Sequence, residues 1–147
     1  MSNPYSREIA AALLIDVNGS LLLQRRDNIP DIIQPGKVGL FGGHREGEET
    51  FLECVVREIN EEVGQHIPPE RFQYLFSLDG ADPEIPGGHL RGEFFVAYDI
   101  PADALVIAEG KLLIVLPGAI EKMRSELTPA TLLALNVFMS RKIIPAG

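Results

Sequence analysis

The sequence predicts an α/β protein in which helices pack on a mixed β-sheet. Apolar segments with the composition of strands occur in both halves of the chain, and predicted helices lie between and after them at irregular intervals. The chain has 147 residues, which is enough to bury one core. Because no repeat and no long linker divides it, we expect a single domain over residues 1–147.

A β-hairpin is predicted near the amino terminus. Residues 9–17 and 20–24 are rich in apolar side chains, and Asn18-Gly19 between them is a strong signal for a two-residue turn. Residues 27–37 contain two prolines and a glycine, and they predict a loop. A short apolar segment, residues 38–41, then leads into a pair of glycines.

A helix is predicted over about residues 51–63. Its apolar residues recur at three- and four-residue steps, and they are Leu52, Val55, Ile59 and Val63. Thr50 is a good N-cap, Glu53 completes a capping box, and Gly64 stands where a left-handed residue ends a helix. Cys54, the single cysteine, lies in the same segment, so we interpret it as a buried apolar residue rather than a nucleophile.

The second half is predicted to contain three strands and two helices. The strands are residues 72–78, 94–100 and 112–116, and the helices are residues 117–126 and 129–142. Residues 79–91 are rich in Pro, Gly and Asp, and they predict a loop between the first two strands. Thr128 is placed to cap the last helix.

The net charge restricts the partners of the protein. At a formal charge of −8 the surface repels polyanions, so we expect no nucleic-acid polymer as a partner. No apolar run approaches the roughly 20 residues that cross a bilayer. The amino terminus lacks a basic region followed by an apolar stretch, which a signal peptide requires. We therefore expect a cytoplasmic protein with no membrane partner.

Acidic residues are concentrated in residues 43–65, where seven glutamates accompany two arginines. Glu58, Glu61 and Glu62 share one face of the predicted helix, because positions i, i+3 and i+4 are neighbours. Like charges at this spacing repel, and a bound cation would relieve that repulsion. Oxygen ligands of this kind suit Mg²⁺. A solvated acidic surface is the alternative interpretation.

Residues 43–65, GHREGEETFLECVVREINEEVGQ, resemble the Nudix box, Gx5Ex7REUxEExGU, in which U is a bulky apolar residue. Eight of the nine defined positions match, and they are Gly43, Glu49, Arg57, Glu58, Ile59, Glu61, Glu62 and Gly64. Gln65 departs from the pattern, because an apolar residue is expected there. Val38 and Phe41, before the box, stand where many relatives have Trp and Pro.

The resemblance implies an α/β/α sandwich with a mixed sheet and a hydrolase that cleaves a phosphoanhydride bond. It also implies Mg²⁺, or Mn²⁺ in its place, as the cofactor. Glu58 and Glu62 would be the main carboxylate ligands, and the carbonyl of Gly42 would complete the shell. Glu61 would be a third ligand or act through a metal-bound water. The bound ion would neutralise phosphate charge and lower the pKa of an attacking water.

The resemblance also implies roles for further residues, and some of them have an alternative interpretation. The arginine of the box typically orients the glutamates, so we predict a structural pairing of Arg57 with Glu49 rather than a contact with substrate. Some relatives take a general base from a distant loop, and Glu109 with its following glycine resembles that Glu-Gly segment. Glu93 is a second candidate. An ordinary surface acid is the alternative for Glu109 and Glu93.

Four residues are candidates to bind substrate. Arg26 and Arg25 end a predicted strand near the box, and they could hold substrate phosphates through paired hydrogen bonds. His44 follows the double glycine and is predicted at the mouth of the site. His89, in the predicted 79–91 loop, would gate the pocket or touch the leaving group. A solvated surface side chain is the alternative for each of them.

The first functional hypothesis is a nucleoside triphosphate pyrophosphohydrolase, because the chain is small and has no accessory domain. A nucleotide-sugar or dinucleotide pyrophosphatase is an alternative, and so is a non-catalytic nucleotide-binding regulatory module on the same fold. Regulatory proteins of this kind generally lose box glutamates, whereas all four are present here. A calcium-binding structural domain has no support, because no segment has the EF-hand spacing. The expected partner is a nucleotide-type small molecule, and a homodimer stays open.

Overall fold

The computed structural model of the protein describes residues 6–143. Residues 1–5, on which the expectation about a signal peptide partly rests, lie outside this range. Its strands are Ser6–Asp16 (β1), Leu21–Arg25 (β2), Val38–Gly39 (β3), Phe41–His44 (β4), Gln73–Ala81 (β5), His89–Ile100 (β6) and Lys111–Val115 (β7). Its α-helices are Phe51–Val63 (α1) and Pro129–Ile143 (α2).

Strand β1 organises a seven-stranded mixed sheet. It pairs in parallel with β6 along most of its length, and antiparallel with β2 and β4 on its other edge. Strand β5 pairs antiparallel with β6, and β3 and β7 pair antiparallel with β2. The mixed sheet predicted from the sequence is therefore confirmed.

The sheet is buried on both faces because α1 and α2 cover it from opposite sides. Successive side chains of a strand point to opposite faces, so β1 contributes to two cores. The core under α1 contains Ala10, Ala12 and Leu14, and the core under α2 contains Ala11, Leu13 and Ile15. Helix α1 adds Cys54, Val55, Ile59 and Val63 to the first core, all fully buried. This arrangement confirms the α/β/α sandwich and the burial of Cys54.

The predicted hairpin is present as β1 and β2, but its turn is longer than two residues. Strand β1 ends at Asp16, and residues 17–20 connect the strands. The Asp16 carboxylate accepts hydrogen bonds from the backbone N–H groups of Asn18 and Ser20, each at 2.9 Å. Asp commonly stabilises turns in this way, so the side chain sets where the strand stops.

The prediction of a loop over residues 79–91 is correct for its middle but wrong at both ends. Strand β5 continues to Ala81 and β6 begins at His89, so only residues 82–88 connect the two strands. Asp79 pairs with Arg91 in this extension. Strand β6 is hydrogen-bonded to β5 on one edge and to β1 on the other. This pairing outweighs the weak strand propensity of Gly and Asp.

The helix predicted over residues 117–126 is present with those bounds, but Pro117–Glu126 forms 3₁₀ turns rather than an α-helix. Met123 has non-helical dihedral angles, φ −116° and ψ 16°, which divide the segment. Ile120 is its buried residue. A segment without an apolar stripe gains little from packing, and packing is what stabilises a longer helix.

The last helix forms as predicted and runs from Pro129 to Ile143. The hydroxyl of Thr128 accepts a hydrogen bond from the backbone N–H of Thr131 at 3.3 Å, as an N-cap does. No helix between residues 6 and 143 combines the length and the apolar character needed to cross a membrane.

Candidate active site

Helix α1 has defined ends, which fix the direction of each of its side chains. The Thr50 hydroxyl accepts a hydrogen bond from the Glu53 N–H at 3.0 Å, and the Glu53 carboxylate accepts one from the Thr50 N–H at 2.8 Å. The helix ends at Gly64, which is left-handed with φ +69°. These contacts are the predicted capping box and C-terminal glycine. With the apolar residues held on the sheet, the carboxylates of Glu58 and Glu62 are directed towards β4.

Strand β4 has two glycines, and each allows another part of the protein to approach the strand closely. A Cβ on Gly42 would overlap the backbone of Ala10 and Ala11 in β1. A Cβ on Gly43 would overlap the carboxylate of Glu58. The second glycine of β4 therefore lets the Glu58 side chain lie directly against the backbone of the strand.

Glu62 reaches the same strand from the next turn of α1. Its Oε2 accepts a hydrogen bond from the backbone N–H of Gly42 at 3.1 Å. Burial raises the pKa of Glu62 to about 7, and the charges of Glu58 and Glu109 add to the increase, against the Gly42 hydrogen bond and the charge of Arg26. A raised pKa means that the charged form lacks sufficient positive partners. A cation at this place would supply them.

Arg57 holds the neighbouring glutamates in place. It donates to the two oxygens of Glu49 at 2.6 and 3.0 Å, to Glu58 at 2.9 Å and to the carbonyl of His44 at 2.9 Å. Glu61 lies further away, at 3.4 Å, and 58% of its side chain is exposed. Hydrogen bonds from Arg57 lower the pKa of Glu49 to about 2 against the effect of burial. Arg57 therefore holds Glu58, whose carboxylate lies against Gly43.

A cavity of about 580 Å³ lies beside these carboxylates. Six of the residues predicted from the sequence line it, namely Arg26, Gly42, His44, Glu58, Glu62 and Glu109. Its volume is within the range of small-molecule sites. The structure thus brings together the three groups of candidates, the helix carboxylates, a basic residue after β2 and an acid before β7.

Arg26 lines this cavity and carries a buried donor that has no partner among the described residues. Its backbone N–H donates to the carbonyl of Lys37 at 2.8 Å, which anchors the residue after β2. Its Nε is buried and has no hydrogen-bond partner within residues 6–143. A buried donor left without a partner is unfavourable, so a ligand oxygen at this position would be stabilising.

Glu109 is held next to the cavity by a residue that sequence reasoning missed. The buried Gln24 side chain donates from Nε2 to the carbonyl of Glu109 at 2.9 Å. Gly110 follows with φ +69° and lies against the carbonyl of Arg25, where no side chain fits. A buried glutamine in the middle of a hydrophobic strand was the available signal, because such a side chain needs a hydrogen-bond partner.

Other candidates lie outside the cavity. Arg25 donates to Glu126 at 2.8 Å and to the carbonyl of Gly36 at 3.2 Å. Side chains alternate along a strand, which explains why Gln24 and Arg26 line the cavity and Arg25 does not. His89 pairs with Asp79 at 2.7 Å on the β5–β6 ladder. Glu49, Arg57, Glu61 and Glu93 also do not line the cavity.

The carboxylates suit a cation that a substrate helps to bind. No group of three or more His, Cys, Asp or Glu side chains in the described part of the chain is arranged to hold a metal ion by itself. Mg²⁺ typically takes one or two protein carboxylates, and waters and substrate phosphates complete its shell. Glu58 and Glu62 could supply such carboxylates, since both line the same cavity.

Comparisons with known proteins agree with this geometry. The NUDIX domain family model matches residues 5–110. The MutT protein from Methanosarcina mazei Go1 is 20% identical, with a TM-score of 0.77 over 97% of this chain and 99% of that chain. The E. coli ORF135 protein is 23% identical, with a TM-score of 0.74 over 97% and 95%.

A third similar structure is the NUDIX domain of Shewanella oneidensis NrtR, which was solved with ADP ribose. It is 18% identical, with a TM-score of 0.74 over 96% of this chain and 94% of that chain. No curated protein matches the sequence at a significant level.

The family assignment rests on agreement between the motif, the fold and the matched length. The box from Gly43 to Gln65 lies inside the matched residues, and the sandwich that it predicts is the observed fold. The match extends over more than half of the chain. The chain therefore belongs to the Nudix family, as a hydrolase that acts on phosphorus-containing anhydrides.

Proposed function

We propose that this Nudix hydrolase is a Mg²⁺-dependent pyrophosphohydrolase of nucleoside triphosphates, releasing a nucleoside monophosphate and pyrophosphate. One observation supports the proposal most directly. The carboxylates of Glu58 and Glu62 share a cavity with Arg26, whose buried Nε lacks a partner in the described chain. A cation site beside a free guanidinium donor suits a chain of phosphates.

The metal ligands in this proposal are Glu58, Glu62 and the carbonyl of Gly42. Glu61, which is exposed, would act through a water molecule or complete the shell when substrate is present. When bound, Mg²⁺ or Mn²⁺ would neutralise phosphate charge and lower the pKa of a coordinated water. Arg57 and Glu49 position Glu58 without touching substrate, since neither lines the cavity.

The remaining steps use residues of the chain. Arg26 binds phosphate oxygens through its free donor and neutralises part of their charge. Glu109 accepts the proton of the attacking water as an oxygen–phosphorus bond forms and the anhydride oxygen–phosphorus bond breaks. His44 lines the cavity beside Gly43 and would contact the substrate as it enters.

Other substrates of the same reaction class remain alternatives. A nucleotide sugar or a dinucleotide has the same phosphoanhydride group, and the Shewanella oneidensis relative was solved with ADP ribose. A non-catalytic nucleotide-binding module is the second class of function. It is less favoured because the box glutamates are complete and Glu58 and Glu62 line one cavity.

The test is release of phosphate or pyrophosphate from nucleoside triphosphates, nucleotide sugars and dinucleotides, with and without Mg²⁺. Glu62→Gln should lower turnover by about 100-fold or more while the protein stays folded, because it removes a ligand charge. Glu70→Gln is the matched control, since Glu70 is exposed and lies outside the cavity.

Turnover that requires Mg²⁺ and is lost only in Glu62→Gln would support the proposal and identify the substrate group. Near-normal turnover by Glu62→Gln would contradict the ligand assignment. Tight nucleotide binding without turnover by the wild type would favour the regulatory module instead.

A further inference from the structure

The cavity continues beyond the carboxylates to a second polar cluster that contains Arg7 and Glu84. Ala11 of β1 is paired with Gly42, and Arg7 lies four residues earlier on the same strand. At about 3.3 Å per residue, the Arg7 backbone is about 13 Å from this point along β1. The Arg7 backbone is therefore distant along β1 from Gly42, to which Glu62 is hydrogen-bonded, and we call the part of the cavity at Arg7 and Glu84 its second end.

Glu84 retains acceptor capacity at that end. One carboxylate oxygen accepts from Arg7 at 3.4 Å, and the other accepts from the backbone N–H of Ala130 at 3.3 Å. Both distances are long for hydrogen bonds, and each carboxylate oxygen has two lone pairs. The stronger partner of Arg7 is Asp82, to which it donates at 2.8 and 2.9 Å.

The position of Glu84 is well defined although its bonds are weak. Only 11% of its side chain is exposed. Asp82 accepts a hydrogen bond from the backbone N–H of Glu84 at 2.8 Å, so the same aspartate holds both Arg7 and the Glu84 backbone. The carboxylate is thus presented to the cavity from a fixed segment of the β5–β6 connection.

Apolar side chains also line the cavity. Ile9, Leu40 and Phe94 line the cavity. Phe94 is stacked on Phe76 with ring centroids 4.6 Å apart, which fixes the plane of its ring. Ile29, in the loop after β2, also lines the cavity, although about half of the residue is exposed to solvent. A flat, largely apolar ring with polar atoms at its edge suits such a space.

We propose that Glu84 reads the base of the nucleotide and selects guanine, an inference that rests on the proposed nucleotide hydrolase function. A carboxylate with a free lone pair on each oxygen matches two adjacent N–H donors. Guanine presents such a pair, N1–H and the N2 amino group. Adenine and cytosine place an acceptor beside their amino group, and uracil has one N–H between two carbonyl oxygens, so each would put an acceptor against the carboxylate.

The test compares kcat/KM for GTP, ITP and ATP in the wild type, Glu84→Gln and Glu46→Gln. ITP lacks the N2 amino group, so we expect GTP to exceed both ITP and ATP by about 10-fold or more. Glu84→Gln should reduce the GTP-to-ATP ratio by about 10-fold, because an amide offers one acceptor and one donor. Glu46 lines the same cavity, and Glu46→Gln should leave the ratio unchanged.

The ratio is measured on one preparation, so it does not depend on the folded fraction of a variant. Hydrolysis of GTP and ATP at equal kcat/KM would overturn the inference and leave the proposed function standing. A GTP-to-ATP ratio that is equal in Glu84→Gln and the wild type would also overturn the inference and leave the proposed function standing.

If no triphosphate is hydrolysed, the proposed function fails, and calorimetric titration with α,β-methylene analogues decides the inference separately. Tighter binding of the guanosine analogue than of the inosine and adenosine analogues supports it. Equal binding of the three, or no binding of any, overturns it.

Discussion

Arg57 donates to both carboxylate oxygens of Glu49, at 2.6 and 3.0 Å, and this pair joins the loop before α1 to the middle of the helix. The same guanidinium contacts Glu58 at 2.9 Å. A residue outside the cavity thereby controls the position of one inside it.

We expect Arg57→Lys to lower both stability and turnover. Lysine offers a single ammonium group in place of a planar fork, so it cannot contact both oxygens of Glu49 and also hold Glu58. A double-mutant cycle with Glu49→Gln should give a coupling of about 1–3 kcal/mol from chemical denaturation. Arg124→Lys is the control, because Arg124 and its partner Glu121 are both exposed. Coupling near zero would show that the pair has no structural role.

Gly43→Ala should abolish most turnover with a smaller effect on stability. The new methyl group would overlap the Glu58 carboxylate and displace it from the cavity. We expect kcat to fall by about 100-fold. Gly80→Ala is the matched control in a strand, because no heavy atom lies within 4 Å of a Cβ placed there. Equal kcat for the two variants would show that turnover does not depend on the contact between Glu58 and strand β4.

The Arg7–Asp82 pair should make stability depend on acid pH. Burial favours a higher pKa for Asp82, but hydrogen bonds from Arg7 and from backbone N–H groups outweigh it, and the pKa is lowered. The unfolded value is about 3.9. The contribution of the pair to the free energy of unfolding is therefore complete above about pH 4. It is lost as the pH falls through the lower pKa of Asp82 in the folded protein.

Denaturation of the wild type and Asp82→Asn should show this directly. The difference in the free energy of unfolding should be constant from pH 7 to about pH 5 and should shrink at lower pH. Asp103→Asn serves as the control, since Asp103 is exposed. A difference that stays constant down to pH 2 would contradict the assignment.

Cys54 should be unreactive in the folded protein. Burial raises the pKa of its thiol to about 12, and the charge of Glu49 adds to the increase. The thiolate is the reactive form, so a colourimetric thiol reagent at pH 8 should modify the native protein far more slowly than the denatured protein. Rapid modification of the native protein would contradict the burial of Cys54 under α1.

Helix α1 and its chemistry were predictable because they depend on neighbouring residues. Thr50, Glu53 and Gly64 form the caps expected from their spacing, and the apolar stripe lies on the sheet as its period requires. The family pattern is equally local, since it lies within residues 43–65. Interactions within four or five positions follow from helix geometry and can be identified in sequence.

The cavity was decided by tertiary structure. Strand β7 pairs with β2 and brings Glu109 to the site, and the parallel pairing of β1 with β6 extends the strands into the predicted loop. Arg7 meets Asp82 and Glu84 across distant parts of the chain. The sequence by itself therefore determined the helix, its carboxylates and the family, because those depend on local spacing. Only the folded sheet decided which distant residues face those carboxylates, because strand pairing and burial act between segments that no local pattern connects.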